Sequence, residues 1–551
     1  MKAITKITTV LLILYTFNSY SQDWQWVKHI GSGGTPPKGQ DATNTIITDK
    51  NGNSYFAGSF DGSACYFETD TLSLSGSIDF FLAKYDNTGN ELWIKQFVGG
   101  FGTSGGSGGI CYDSINGYIY LTGSKRGMIN FGGIFLNSGQ MSFFLAKFDL
   151  NGNCIWAKQA NSSAESGGAG ITIDNNGDVY VCGSNMDSAS FDAYTIPRGG
   201  FIAKYNASGN CLWAKNKFRY KNSFVASELN SQDINIVDTT ILISGHVLND
   251  TIIVDTITVF NNGNNAAYLS AFDLDGNIRW LKLAGGGSNS IGGWDFSVDE
   301  NGNSYICGRF TVTGYFDTIV LTNPMNNDAF IAKYNILGEL QWVKQLSASG
   351  GSGAWNINTT SDGTSYVTGY FNGTANFGSY SVTSSTFQDM FVARYDSNGV
   401  CLGVRNFGKA EGTAISVNNN HEFWVAGKLF GSTTIDGVPY SYYGDPSDLF
   451  VAKGDAPIGI ETYNERKTVN TLHIYANPNK GTCNITIPDE LLNEQNLVLT
   501  IYDVSGKIIQ QQQVQIEQEK IKINLEAEAK GIYNVTLGNA KKMYNGKIVF
   551  E

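Results

Sequence analysis

One stretch constrains this chain more than any other, because it returns. Phe81-Leu82-Ala83-Lys84-Tyr85-Asp86 runs through Gly89-Asn90 into Leu92-Trp93-Ile94-Lys95. Copies start at Phe144, Phe201, Tyr268, Phe330 and Phe391, and a half copy, Phe450-Val451-Ala452-Lys453, stops there. Successive starts lie 57 to 67 residues apart. A second element precedes each copy: an apolar run, an Asn/Asp/Gly turn and an aromatic-rich run. It is clear at 46–58, 171–183, 296–308 and 357–369, and weaker where it closes on Gly123, Gly245 and Gly427. Runs of that kind around such turns are the signature of a β-hairpin. Each unit therefore holds four short strands: two in the hairpin, one from Phe-x-Ala-Lys and one from Trp-x-Lys. Four antiparallel strands repeated at this period predict the blade of a β-propeller.

Counting predicts how the array ends. The Phe-x-Ala-Lys strand occurs seven times, but a Trp-x-Lys strand follows only six, and in the sixth Gly403 replaces Trp. The missing strand stands at the other end of the chain, as Trp24-Gln25-Trp26-Val27-Lys28. The expectation is an all-β, seven-bladed propeller closed by the N-terminal strand, which removes an open sheet edge. Asp299-Glu300-Asn301-Gly302-Asn303-Ser304-Tyr305-Ile306-Cys307-Gly308 and the Phe81 stretch resemble the bacterial β-propeller repeats of the SBBP type. Those carry a D-x-x-G-N-x-Y-x-x-G hairpin and an F-x-A-K-Y-D-x-x-G-x-x-x-W strand pair. The resemblance covers about 24–455; it implies a fold and brings no catalytic residues.

The flanking segments differ. Lys2 and Lys6, the apolar run 10–17 and Ser19-Tyr20-Ser21 read as a secretory signal peptide, 1–21, cut before Gln22. Its apolar run is too short to span a bilayer, and no other stretch approaches the length, so no transmembrane segment is expected. The mature propeller is assigned to 22–455, a polar linker to 456–470, and a small β-sandwich to 471–551. In that last segment Tyr475-Ala476-Asn477-Pro478-Asn479-Lys480-Gly481, Asp503-Val504-Ser505-Gly506-Lys507 and Gly531-Ile532-Tyr533 occur in order. They resemble the type A C-terminal sorting domain of the type IX secretion system, with Ala476 where Pro is usual. That resemblance implies export across the outer membrane, with the secretion machinery as partner, and a secreted or surface-attached product.

Composition excludes some functions. A net charge of −12 and no Lys/Arg cluster argue against nucleic acid, which needs a basic stripe. Export permits disulfides, yet Cys182 and Cys307 share one repeat position, and Cys154, Cys211 and Cys401 share another. Equivalent positions in different repeats lie too far apart to bridge, so these five are expected to be buried small apolar residues; Cys65, Cys111 and Cys483 stay unassigned. Asp174-Asn175-Asn176-Gly177-Asp178 and Asp273-Leu274-Asp275-Gly276-Asn277 look like fragments of a calcium loop but lack its distal Glu. Turn chemistry accounts for them, and no metal or cofactor is expected. His29, His246, His421 and His473 form no ligand or triad spacing, and the Gly runs at 99–108 do not sit between a strand and a helix. Asp79, Asp328, Asp389 and Asp448 precede the Phe-x-Ala-Lys strands by one pattern, and are expected to pair with the repeat lysines.

What does not repeat marks a candidate site. Trp294 and Trp355 precede their hairpin turns by five residues, at the start of the innermost strand, where Asn44, Asp233 and Thr413 stand in other repeats. On the face of long loops and sheet-to-sheet crossings, they are positioned either to stack on a sugar ring or to cap the channel. Trp294, Trp355, Asp233 and Asn44 are the candidate ligand-binding residues, with no residue assigned a catalytic role. The functional expectation is a binding module for glycan or protein. The alternatives are an extracellular polysaccharide-acting enzyme with facing carboxylates about 5–10 Å apart, and a structural surface component.

Overall fold

The computed structural model describes residues 24–550 except 34–41, 76–77, 99–107, 221–229, 249–250, 261–264, 285–290, 385–386, 436–437, 442–446, 456–469, 473, 476–478, 489–490, 492–496, 504–507, 515–519 and 540–542. The segment read as a signal peptide and nearly all of the linker lie outside the described residues. The chain divides into two compact units, Met1–Gly459 and Ile460–Glu551. Both are all-β, with no α-helix among the described residues.

Among the described residues the first unit contains seven antiparallel sheets of at least four strands; three of them continue to six, and a three-stranded and a two-stranded sheet stand apart. In the first, Ala42–Thr48, Ser54–Phe60, Asp79–Tyr85 and Glu91–Phe97 pair in that order. The seventh takes three strands from the end of the repeat region, Ala410–Val417, Phe423–Leu429 and Asp448–Gly454, and its fourth from the N-terminus, Trp24–Gly33. Shared apolar cores fill the spaces between sheets. One joins Phe56, Phe81 and Tyr85 of the first sheet to Trp424 and Val451 of the seventh, with Ile30 of the N-terminal strand among them.

The repeated residues are explained by contacts from one sheet to the next. Trp93 Nε1 donates to the carbonyl of Leu150 at 3.1 Å, and Lys84 Nζ donates to the same oxygen at 3.3 Å. Trp342 and Lys333 converge in the same way on the carbonyl of Ser397. Each carbonyl belongs to the turn of the following sheet. The glycine of that turn lies on the indole: a Cβ on Gly152 would come within 2.8 Å of Trp93, and one on Gly399 within 2.9 Å of Trp342. Both glycines have positive φ, 77° and 76°, a second reason for the residue type. Trp26 of the N-terminal strand makes the same contacts with Asn87 and Gly89 of the first sheet.

The aspartates do not pair with the repeat lysines. Asp79 accepts from Gln96 at 2.8 Å, Asp328 from Gln345 at 2.6 Å, Asp389 from Asn406 at 3.1 Å, and Asp448 meets His29 at 2.9 Å. Each partner stands on the neighbouring fourth strand of the same sheet. The physical reason is register: Lys and Asp lie at opposite ends of the Phe-x-Ala-Lys strand. The turn aspartates are engaged within their own turns. Asp174 Oδ1 accepts the amides of Asn176 and Asp178 at 2.9 Å each. All eight cysteines are free; of the five expected to be buried, Cys182, Cys307 and Cys401 are, whereas Cys154 and Cys211 are only half-buried.

The second unit has two sheets around one core. Leu497–Tyr502, Gly531–Gly538 and Met543–Phe550 form the centre of the larger sheet, and Thr482–Thr486 the centre of the smaller. Leu499, Ile501, Val535 and Ile548 meet Ile485 and Ile523 between them. Asn479 pins the last strand, bonding the Val549 carbonyl through both its backbone and its side-chain amide.

Candidate functional site

The first strands of the seven sheets converge on a cavity of about 200 Å³. Thr45, Cys111, Thr172, Asp233, Asp295, Asn356 and Ala414 line it, one from each sheet. Most of these strands carry a register shift near their start: between Thr43 and Thr45, Ser231 and Asp233, Gly293 and Asp295, Ala354 and Asn356, and Gly412 and Ala414. A bulge places two residues opposite one and re-aims the side chains that follow it. Asn44, Trp294, Trp355 and Thr413 are the bulged residues; Asp233 is not. Asp233 corresponds to Asp295 and Asn356, one position later than the sequence alignment placed it, because its strand runs one residue further before a shorter turn: Val237 pairs with Thr240, whereas Val298 pairs with Ser304. The side chains of Asn44 and Trp294 lie outside the described residues.

Polar side chains link adjoining first strands around the cavity. Asp295 Oδ2 accepts Asn356 Nδ2 at 2.7 Å and the Ile357 amide at 2.9 Å. Asn356 Oδ1 accepts the Ile415 amide at 2.7 Å, and Asn358 Oδ1 the Val417 amide at 3.0 Å. Asp233 Oδ1 accepts the Ile234 amide at 2.8 Å. Asp295, on the adjoining first strand, lines the same cavity. Burial pushes Asp233 up to about 7, and burial followed by the charge of Asp233 raises Asp295 well above the carboxylate range.

Trp355 sits at its bulge in a cluster drawn from three sheets. Tyr370, from its own sheet, lies with ring centroid 5.8 Å away and planes tilted by 34°. The Arg309 guanidinium of the preceding sheet is 5.7 Å from the indole centre and donates to Tyr370 Oη at 3.3 Å. Glu411 of the following sheet accepts from Gln388 Nε2 at 3.4 Å, with Lys428 Nζ 3.9 Å away. Burial raises the Glu411 carboxyl despite Lys428. Beside this cluster, Phe387 and Phe430 face a second cavity, of about 460 Å³, with Gln388 and Lys409. Phe387 is 86% exposed. Phe387, Gln388 and Phe430 stand on connections within the sixth and seventh sheets, and Lys409 on the connection between them.

Of the four residues singled out from sequence, the structure thus brings Trp355 into a polar-aromatic cluster and Asp233 into the cavity. It adds Asp295, Asn356, Arg309, Tyr370, Glu411 and Phe387. One sequence signal points to part of this set. The residue after the repeat glycine is Ser59, Ser124 and Ser184 in the first three repeats, but His246, Arg309, Tyr370 and Lys428 in the last four.

Comparison with known proteins bears chiefly on the C-terminal unit. Residues 473–551 match the secretion system C-terminal sorting domain. The protein is accordingly secreted or attached to the outer cell surface, and that domain engages the type IX secretion machinery. No described helix is long and apolar enough to cross a membrane. A curated relative, an uncharacterized WD repeat-containing protein of Acanthamoeba polyphaga mimivirus, is 26% identical over 163 residues; the match takes in 26% of this chain and 11% of that relative's length. Among solved structures, a protein of unknown function from Dyadobacter fermentans aligns over 78% of this chain and 99% of its own, at 8% identity and a TM-score of 0.36. The extracellular domain of a putative hybrid two-component system from B. thetaiotaomicron aligns over 92% and 69%, at 12% identity and a TM-score of 0.28. The apocarotenoid oxygenase of Synechocystis aligns over 79% and 94%, at 10% identity and a TM-score of 0.33. At such scores these likenesses carry no functional argument.

Proposed function

We propose that residues 22–455 form a closed seven-bladed β-propeller that acts as an extracellular glycan-binding module, exported by means of the 471–551 sorting domain. The closure is supported by the pairing of Trp24–Gly33 with Asp448–Gly454. It is supported too by contacts between the first and seventh sheets, where Thr413 Oγ1 donates to the Thr43 carbonyl at 2.7 Å.

The observation that carries the binding reading is the cluster of Trp355, Arg309, Tyr370 and Glu411 beside the Phe387–Phe430 cavity. Rigid aromatic faces next to a guanidinium, an amide and a carboxyl suit a pyranose, which offers apolar C–H faces and a rim of hydroxyls. Trp294 and Asn44, bulged at the same position of their strands, and Asp233, which lines the central cavity, are the further residues proposed to contact ligand. The enzyme reading draws on the facing carboxyls Asp233 and Asp295. They line a cavity of only about 200 Å³, smaller than the roughly 300–1,000 Å³ of ordinary ligand pockets, so binding at the Trp355 cluster is the better supported reading.

A glycan array probed with the mature protein tests it, alongside Trp355→Ala and Phe387→Ala. Saccharide binding that falls about tenfold or more in either variant, a loss of about 1.4 kcal/mol, is the expected result. Binding to no saccharide, or binding unchanged in both variants, overturns the proposal.

A further inference from the structure

We propose that the third sheet carries a second binding site, a basic pocket that takes the carboxylate or sulfate group of an acidic saccharide.

The pocket lies where the strand Cys211–Tyr220 of that sheet meets the hairpin Thr251–Val254 and Ile257–Phe260 of the next repeat. Its volume of about 600 Å³ falls within the roughly 300–1,000 Å³ of ordinary ligand pockets. Arg198, Lys215, Lys217 and Arg219 line it with one acid, Asp255. That balance is the reverse of the whole chain's, whose net charge is −12.

The third repeat breaks the repeat pattern at two places in this pocket, and each break favours positive charge. Asp79, Asp328, Asp389 and Asp448 stand two residues before the Phe of Phe-x-Ala-Lys, but the third repeat has Gly199 there, after Arg198. With no acid to meet, Asn216 Nδ2 donates to the carbonyls of Pro197 and Arg198 at 2.8 and 2.6 Å, and so ties the Arg198 segment to the last strand. In the sixth sheet the equivalent Asn406 bonds Asp389 instead. That last strand reads Lys95-Gln96-Phe97 in the first repeat, Lys344-Gln345-Leu346 in the fifth and Arg405-Asn406-Phe407 in the sixth, but Lys215-Asn216-Lys217-Phe218 in the third. Lys217 is thus an extra residue. Gly200 pairs with Phe218 and Phe201 with Asn216, which leaves Lys217 as a bulge; the first sheet pairs Phe80 with Phe97 and Phe81 with Gln96 without one.

The inserted lysine answers the one acid. Lys217 Nζ bonds both carboxylate oxygens of Asp255, at 2.8 and 2.7 Å, and its side chain is only 6% exposed. Lys215 Nζ donates to the backbone carbonyl of Asp275. Among the described residues no carboxylate lies within ion-pair distance of Arg198, Lys215 or Arg219. Two guanidiniums and an ammonium therefore line the pocket with no acid paired to them.

The lining also selects the ligand class. A guanidinium presents its N–H donors as a flat fork that fits two oxygens of a carboxylate or sulfate. Ile196, Pro197 and Ala214 supply an apolar part of the wall. A bare inorganic ion fills little of this volume and uses none of that apolar surface. A sugar ring that bears a carboxylate or a sulfate ester uses both. The pocket offers no basic stripe to a nucleic-acid backbone. It is separate from the Trp355 cluster, which is drawn from the fifth to seventh sheets, and does not depend on it.

Isothermal titration calorimetry at low ionic strength tests the site in the mature protein, Arg198→Gln and Arg219→Gln, with thermal melting to show that each variant folds. The probes are a hexauronate, a sulfated hexasaccharide, a neutral hexasaccharide and inorganic sulfate. The expected result is binding of an acidic saccharide that weakens with added salt and falls about tenfold or more in each variant, while any binding of the neutral saccharide is unchanged. No binding of either acidic saccharide, or binding that both variants keep, overturns the proposal. Inorganic sulfate that binds as tightly as the saccharides also overturns it, by making the pocket a bare ion site. Trp355→Ala separates the two sites. Acidic-saccharide binding lost in that variant and kept in both arginine variants belongs to the Trp355 cluster and overturns the proposal; binding kept there and lost in the arginine variants supports it, whether or not the Trp355 cluster binds.

Discussion

Each repeat residue has an address on the next sheet. Trp93 and Lys84 grip one carbonyl, and the glycine of that turn lies flat against the indole. The signature is thus a description of an interface, although it is written along one strand pair. Its glycine is doubly constrained. In Gly152→Ala the new methyl would face Trp93 at 2.8 Å and the backbone would keep a φ of 77°. The expected cost is about 1–3 kcal/mol, read as a lower melting midpoint. Gly132→Ala shares the positive φ but meets nothing within 4 Å, so it isolates the backbone part and should cost less. A smaller effect is expected of Trp342→Phe, which keeps most of the packing and loses the bond to Ser397; about 1 kcal/mol by denaturant titration is the expected loss.

At the scale of the strand, bulges decide which way side chains point. Trp24 and Trp26 are two residues apart, which in a regular strand places both on one face. The register shift between them sends Trp24 against Phe407 and Phe423, at 5.5 and 5.6 Å, and Trp26 over Gly89 of the first sheet. One strand thereby serves two neighbours. The same strand carries His29, which meets the fully buried Asp448. His29→Ala leaves that carboxylate short of a partner, and about 1–3 kcal/mol of stability should be lost in a urea titration. His29→Gln, which copies the Gln96–Asp79 and Gln345–Asp328 pairs, should recover most of it. Equal loss in both variants would show that the pairing is not what matters there.

For the whole first unit, the strand that follows Asp448–Gly454 in the seventh sheet comes from the other end of the unit, Trp24–Gly33. Removing residues 22–30 deletes Trp24, Trp26 and Ile30 from two shared cores. A drop of several degrees in the melting midpoint is expected, with exposed sheet edges driving self-association detectable by light scattering. A truncated protein that melts and scatters like the native one would show that the N-terminal strand does not hold the unit together. Much of this organisation was legible beforehand. Seven Phe-x-Ala-Lys strands against six Trp-x-Lys strands located the missing one, and three ordered motifs marked the sorting domain. The pairing of the repeat aspartates was not legible, since Asp79 and Lys84 are close in sequence yet stand at opposite ends of one strand.

The sequence by itself determined the all-β class, the N-terminal origin of the strand that pairs with Asp448–Gly454 and the destination of the protein. These are properties of local pattern, and local pattern survives in a string. The tertiary structure decided what meets what across sheets. Asp233 and Asp295 are 62 residues apart, and only the packing of two first strands, each shifted by a bulge, brings them to one cavity. Trp355, Arg309 and Glu411 come from three different repeats for the same reason. A period of about 60 residues announces that neighbours recur, but bulge and crossing geometry, absent from the period, choose which side chains face each other.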